Sequence, residues 1–473
     1  MTIINAAERV LPAGRFRRLR PALARLSAMS TGQGEMAKAQ RMALIAFSIR
    51  IISALITFLS QIVLARIMGH FEYGIFVYVW VLAVILGNLS CLGFHTAVIR
   101  FLPQYRAAGA EDRIRGLTVT ARIFAMLSAT LLAGIAIATV HLLGERIPAY
   151  YVVPLIIGAF ALPMIALGDV LDGTARANNW PIYALSPTYM VRPTLILLFV
   201  VGLLYYFGAV NATLALIAAL VATYVTTLGQ HAVILSKLCG QLARGRLDID
   251  LRAWLAVALP IFLIEGFYFL LTNSDVIVVG IYLPPERVAV YYAAAKTMAL
   301  VHFVFFAVKA AAAPRFSSLV YSGNRQELGH FASLTTRWTF WPSLTLGALA
   351  LLAAPVLLSL FGPGFIEGRT VMFILFAGIL AKAAVGPAET LLTMAGHQKI
   401  CALLYASALA INIALNILLI PRYGIEGAAL ATAAAMICEA LLLHLTVRRT
   451  LGMVLFAGVD QHGRLGLLPR REI

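Results

Sequence analysis

Uninterrupted apolar stretches of about twenty residues recur from one end of this chain to the other, and they restrict its fold more than any other feature. Twenty residues of α-helix rise about 30 Å, the thickness of a bilayer's hydrocarbon. Inside lipid every backbone amide and carbonyl must find an internal partner, so only helices or a closed barrel can cross. Barrel strands would appear as ten-residue segments of alternating polarity, and the apolar runs here do not alternate. Composition agrees: 61% of the 473 residues are hydrophobic and 12% charged, with a mean hydropathy of +0.90. Soluble domains carry about twice that charged fraction. Lipid is the solvent for most of this chain, and the fold class expected is an all-α polytopic membrane protein.

Twelve spans are read near residues 44–66, 75–99, 117–143, 149–171, 181–207, 212–238, 253–282, 288–313, 333–361, 370–393, 401–420 and 424–446. The chain then divides into a basic tail (1–43), a first six-helix unit (44–238), a linker (239–252), a second six-helix unit (253–446) and a tail (447–473). The net charge of +17 could signal nucleic acid, so the placement of the charges matters. About 23 lysines and arginines fall in the two tails and the even-numbered connections, against 4 in the odd-numbered ones. By the positive-inside rule both ends are cytoplasmic and the span count is even. The basic excess therefore faces lipid headgroups, and no nucleic-acid partner is expected. Arg15, Arg17, Arg18, Arg20 and Arg25 precede no apolar core with a cleavage site, so the first 43 residues read as a cytoplasmic tail. Met29, Met36 and Met42 offer alternative starts to a shorter chain. Cys91, Cys239, Cys401 and Cys438 lie too far apart for a metal motif or a disulfide framework.

The two units resemble each other weakly. Glu72 and Tyr78 recur 214 residues later as Glu286 and Tyr292, and Arg100 and Arg122 recur 215 later as Arg315 and Arg337. Polar stripes repeat as well. Arg50, Ser53, Thr57 and Ser60 in span one share one helix face within about 80°. Glu265, Tyr268, Thr272 and Asp275 repeat that spacing in span seven, displaced by 215. Asn88 and His95 in span two match His302 and Lys309 in span eight at 214. A polar stripe cannot face lipid. Hydroxyls alone would serve helix–helix contacts in any bundle. The ionisable members instead point to a wet central cavity between two halves related by an axis along the membrane normal.

Lysines and arginines near the boundaries (Arg66, Arg100, Arg122, Lys237, Arg337) can snorkel to headgroups. Arg50, Arg192, Lys296 and Lys382 lie deeper, and Lys309 is intermediate. Each charge at the bilayer centre costs about 2.5–3.5 kcal/mol or more. Pairing of Lys382 with Glu389, seven residues on, would relieve one of them. Cations left free in a cavity suit an anionic substrate, Arg as a fork for phosphate oxygens and Lys or protonated His as point charges. Glu265 and Asp275 then either bind a coupling H⁺ or Na⁺ or hold Arg50 in place.

Three segments carry a family resemblance. LARIMGHFEYGIFVY (Leu64 to Tyr78) looks like the first-to-second-span junction of bacterial polysaccharide flippases. YYAAAKTMALVHFVFFAVKAAAAPRFSSL (291–319) resembles their eighth span, and PRYGIEGAALATAAA (421–435) the start of their twelfth. With the twelve-span layout the chain resembles, over about residues 42–446, the O-antigen and exopolysaccharide flippases of the multidrug, oligosaccharidyl-lipid and polysaccharide exporter superfamily. The resemblance implies two six-helix, MATE-like lobes around a V-shaped cavity lined by spans one, two, seven and eight. It implies a polyprenyl-diphosphate-linked oligosaccharide carried from the cytoplasmic to the outer leaflet of the bacterial inner membrane by alternating access, in company with membrane lipid and polysaccharide polymerase or export machinery. Arg50 fits a cavity cation of the first span and Lys309 one of the eighth; Arg192 and Lys382 match no motif. The expected substrate-binding set is Arg50, Lys309, His95, His302, Arg192 and Lys296, supported by Ser53, Thr57, Ser60, Asn88, Tyr268 and Thr272.

Two other classes fit less well. A drug or organic-cation antiporter of the same superfamily would need a cavity dominated by carboxylates. A glycan polymerase or ligase would need a large outer loop, and every outer connection here is about ten residues or fewer. Asp248 and Asp250 lie between Arg246 and Arg252 as a charged turn, and no P-loop, zinc motif or nucleophile elbow occurs. The sequence reads as a transporter with no cofactor beyond a coupling ion.

Overall fold

The chain is described by a computed structural model over residues 35–242 and 245–458, with side chains from residue 48 onward. Most of the expected basic N-terminal tail, residues 243 and 244 of the linker, and the C-terminal tail from 459 lie outside the described residues.

The described residues are mostly helical, without a β-strand. Nine of their helical segments are long and apolar enough to cross a membrane. Two of these, Ser48–Ser90 and Gln398–Leu451, contain 43 and 54 residues, about twice one crossing. Each doubles back at a glycine: Gly69 has φ 73 and ψ 175, and Gly424 has φ 59 and ψ −136, a backbone that side chains with a Cβ rarely adopt. The Tyr73 hydroxyl donates to Gln61 Oε1 at 2.8 Å, and the Asn412 amide reaches the Thr432 hydroxyl at 3.4 Å. A straight helix would hold those pairs about 18 and 30 Å apart. A further helix, Arg325–Leu352, supplies span nine. The architecture is thus twelve crossings in two six-helix lobes.

Several crossings expected to be straight are broken. Span two stops at Ser90 and resumes at Phe94. Span five winds through a π turn at Pro187–Val191. Span seven divides into Leu251–Leu271 and Ser274–Tyr282, and span eight into Pro285–Ala299 and His302–Ser322. Span ten divides into Arg369–Val385 and Ala388–Met394 at Gly386–Pro387, where Gly386 has φ 62 and the proline lacks an amide hydrogen.

The tight turns at Gly69 and Gly424 share one end of the bundle with the connections near 144–148, 208–211, 283–284 and 353–368; residues 245–250 lie at the opposite, linker end. At the turn end the lobes share one core: Leu64, Tyr73 and Phe76 pack with Val279, Tyr291, Phe361 and Phe365. Towards the linker end the cores separate into clusters around Leu117 and Val170 in the first lobe and around Phe316 and Leu391 in the second. Span seven still packs on the first lobe there, through Trp254 and Ala258 and through Glu265 against His95 and Thr96, and Phe306 of span eight approaches Arg50. The lobes therefore meet in a V that is closed at the turn end.

Small residues allow the closure. A Cβ on Gly74 would lie 1.8 Å from the Pro285 carbonyl oxygen, so the backbones of spans two and eight touch. Arg66 donates to the carbonyls of Leu360 and Ser359 at 2.7 Å each, and His70 stacks on Phe365.

Candidate functional site

Three confluent cavities of about 290, 420 and 550 Å³ lie between the lobes at the middle of the bundle, and Lys296 lines all three. Lys296 sits on the first half of span eight, one turn before the break, with its ammonium 5.0 Å from the Tyr292 ring. Arg50 reaches in from span one. Its guanidinium lies 4.0 Å from the Tyr189 ring centroid, donates to the Tyr189 hydroxyl at 3.3 Å, and approaches Phe306 of span eight at 5.8 Å. Arg192 of span five lines the same space, 5.9 Å from the Trp80 ring. Cation–π contact gives each charge a partner without neutralising it. Among the described residues no ion pair joins Arg50, Arg192 or Lys296 to a carboxylate.

The π turn presents Tyr189 and Arg192 to the cavity. A π turn holds one residue more than α-helical winding, and such bulges mark functional positions. Tyr189, Gln61, Trp80 and Asn273 all line this space and were not among the sequence candidates. Pro187 and Pro193 flanking Tyr189 were the available signal.

The remaining expected residues divide. Thr57 and Ser60 line the cavity, Ser53 lines it beside Arg50 and donates to the Arg50 carbonyl, and Tyr268, Thr272 and His302 line its second-lobe wall. Lys309 does not stand free: its ammonium pairs with Glu389. Lys382 is not the partner of Glu389 but pairs with Glu439 of span twelve at 2.7 Å. The break at Gly386–Pro387 separates Lys382 from Glu389 and turns the carboxylate towards span eight. His95 is also removed from the cavity cations. Its Nε2 lies 3.0 Å from Glu265, which also accepts from Thr96 at 2.9 Å, joining span two to span seven. Asn88 donates to Asp169 of span four at 2.9 Å. Neither Glu265 nor Asp275 holds Arg50, because the break at Thr272–Asn273 splits their stripe between two directions.

Asp275 is buried at the start of the second half of span seven, accepting from the Tyr291 hydroxyl at 2.6 Å and the Val276 amide at 2.8 Å. It lines the largest of the three cavities with Asn412 and Thr432. The Ser274 hydroxyl lies 3.4 Å from Asn412 Oδ1, and Asn416 donates to the same oxygen at 3.0 Å. The lining of that cavity thus contains one carboxylate tied to hydroxyl and amide donors, one in an ion pair, and cations without ion pairs.

This architecture is that of the multidrug and oligosaccharidyl-lipid exporter fold. It superposes on a multidrug resistance MATE family transporter in an inward-facing conformation with a TM-score of 0.70 at 15% identity, covering 87% of this chain and 98% of that one. The lipid II flippase MurJ in an inward closed conformation gives 0.67 at 15% identity, covering 85% and 87%. A transporter of the same superfamily from Pyrococcus furiosus, described as having a binding pocket of reverse polarity, gives 0.59 at 16% identity over 90% and 98%. An uncharacterized membrane protein of Methanocaldococcus jannaschii is 22% identical over 405 residues, 80% of this chain and 78% of its own length. Residues 40–320 match the polysaccharide biosynthesis protein family, and residues 260–418 match MatE. The first match spans more than half of the sequence, and the chain belongs to the polysaccharide biosynthesis protein family.

Proposed function

We propose that this protein is a flippase that carries a polyprenyl-diphosphate-linked oligosaccharide, the precursor of an O-antigen, capsule or exopolysaccharide, across the bacterial inner membrane. The observation that carries the reading is the set of three cations, Arg50, Arg192 and Lys296, around the confluent cavities, none of them ion-paired to a carboxylate among the described residues. A diphosphate entering a helix bundle without countercharge would face a desolvation cost of tens of kcal/mol. Arg50 and Arg192 supply planar forks and Lys296 a point charge between them. The hydroxyls of Thr57, Tyr189 and Thr272 are placed to bond sugar. A drug or organic-cation antiporter calls for the opposite balance of charge, and the lining does not supply it.

The charge asymmetry of the connections puts the linker end in the cytoplasm, so the V faces the side where lipid-linked precursors would load. Rocking the lobes would then part the shared core at the turn end and expose the cavity to the outer leaflet. Asp275, with Asn412 and Thr432 beside it, is our candidate for the coupling H⁺ or Na⁺; Glu265, bound across the lobes to His95, is the alternative.

Surface glycan in a deletion strain complemented with variants tests the reading. Arg50→Ala combined with Lys296→Ala is expected to lower glycan export at least about tenfold at equal membrane abundance, with unflipped lipid-linked glycan accumulating inside. Full export by that double variant would rule out charge neutralisation by this cavity.

A further inference from the structure

A further cavity lies outside the cationic site. A cleft of about 820 Å³ runs between spans two, three and four of the first lobe and the end of span seven of the second. Its walls are mainly apolar, with Leu82, Leu86, Leu132, Leu155 and Ile281 along its length. None of its lining residues lines the three central cavities. The only charged residue on it is Arg146, in the exposed connection between spans three and four; Glu145 beside it does not line the cleft. Tyr151 also lines it, 5% exposed, with a hydroxyl that has no hydrogen-bond partner among the described residues.

We infer that this cleft binds an anionic phospholipid of the outer leaflet, with an acyl chain along the apolar wall and the phosphate against the Arg146 guanidinium. The location follows from the orientation proposed above, which puts the turn end on the outer side. An apolar trough that ends in one cation at headgroup level complements a lipid with a negative head. The occupant is a bulk phospholipid and not the transported substrate, because the cleft exists while the lobes are shut at this end and shares no lining residue with the substrate cavity, which lies across span two. Its lining spans both lobes, since Gly280 at the end of span seven packs against the Tyr78 ring of span two. A chain seated here bridges the lobes and favours the closed turn end.

The test is native mass spectrometry of the full-length protein in detergent, titrated with dioleoylphosphatidylglycerol and separately with dioleoylphosphatidylcholine. The expected result is retention of phosphatidylglycerol over phosphatidylcholine, about tenfold weaker in Ala136→Trp, which fills the trough from a half-buried position. Arg146→Ala is expected to erase the preference between the two lipids, and Lys296→Ala to leave it intact. Should Ala136→Trp fail to fold, Thr139→Trp, on the exposed rim, makes the same measurement. Undiminished phosphatidylglycerol binding in the filled variant, equal retention of both lipids by the unaltered protein, or loss of binding in Lys296→Ala would each overturn the assignment. None of these readouts depends on glycan export, so the two proposals fail separately.

Discussion

Removing one member of the Lys382–Glu439 pair leaves the other charged inside the second lobe, where Glu439 is only 1% exposed. A broken buried pair costs about 3–5 kcal/mol, whereas replacing both partners with apolar groups of similar volume is close to neutral. Lys382→Met and Glu439→Leu are therefore each expected to destabilise strongly, and the double variant to recover most of the loss, measured by thermal unfolding in detergent. Losses that simply add would show that the two charges are not coupled. Arg50 behaves differently, because what holds it is a ring. Tyr189→Phe keeps the aromatic face and is expected to keep most glycan export, while Tyr189→Ala removes the support, worth about 0.5–2 kcal/mol, and lowers it several-fold. The sequence could show that Arg50, Arg192 and Lys296 lie deep. It could not show which cations are paired, because the partners sit on other spans, Glu389 being 80 residues from Lys309.

At the scale of the element, apolar length made twelve crossings legible, since the bilayer dictates it and neighbouring helices hardly alter it. The breaks were not legible. Gly386–Pro387 separates Lys382 from Glu389 within what reads as one uniform apolar run. Span seven parts at Thr272–Asn273, within a stripe from Glu265 to Asp275 whose periodicity had suggested continuity. A side-chain stripe assumes unbroken winding, and in membrane spans the freed backbone groups find partners on neighbouring helices, so the interruption leaves little trace in composition. The glycine turns do leave one. At Gly424 a Cβ would find open space, with only Glu426 Oε2 near, at 3.9 Å, so Gly424→Ala isolates the cost of the backbone conformation. That cost is expected to be about 1–3 kcal/mol, seen as a lowered unfolding midpoint.

On the scale of the whole molecule, the half repeat found in the sequence corresponds to two lobes whose main shared core lies at one end. Closure there rests on contacts that a rocking motion must break, and Arg66 makes the one with most directional character, bonding two carbonyls of the opposite lobe. Arg66→Ala is expected to shift the population towards lobes parted at the turn end. Spin labels at Tyr206 and Ile366, both exposed on opposite lobes at that end, would report it as a gain in the longer distance by double electron–electron resonance. An unchanged distance distribution would mean that the apolar core alone holds the closure.

The π turn in span five has an implication for how such a cavity diversifies. Deleting one residue there would let the helix relax to ordinary α winding, and because the wide turn already absorbs the extra residue, the helix faces on either side would stay close to register. Only the side chains of the turn itself, Tyr189 among them, would be re-aimed, while Arg192 at the start of the following helix kept its face. A single codon lost or gained at this point acts like a click on a combination dial, re-indexing what the interior offers to cargo while the scaffold stays as it was.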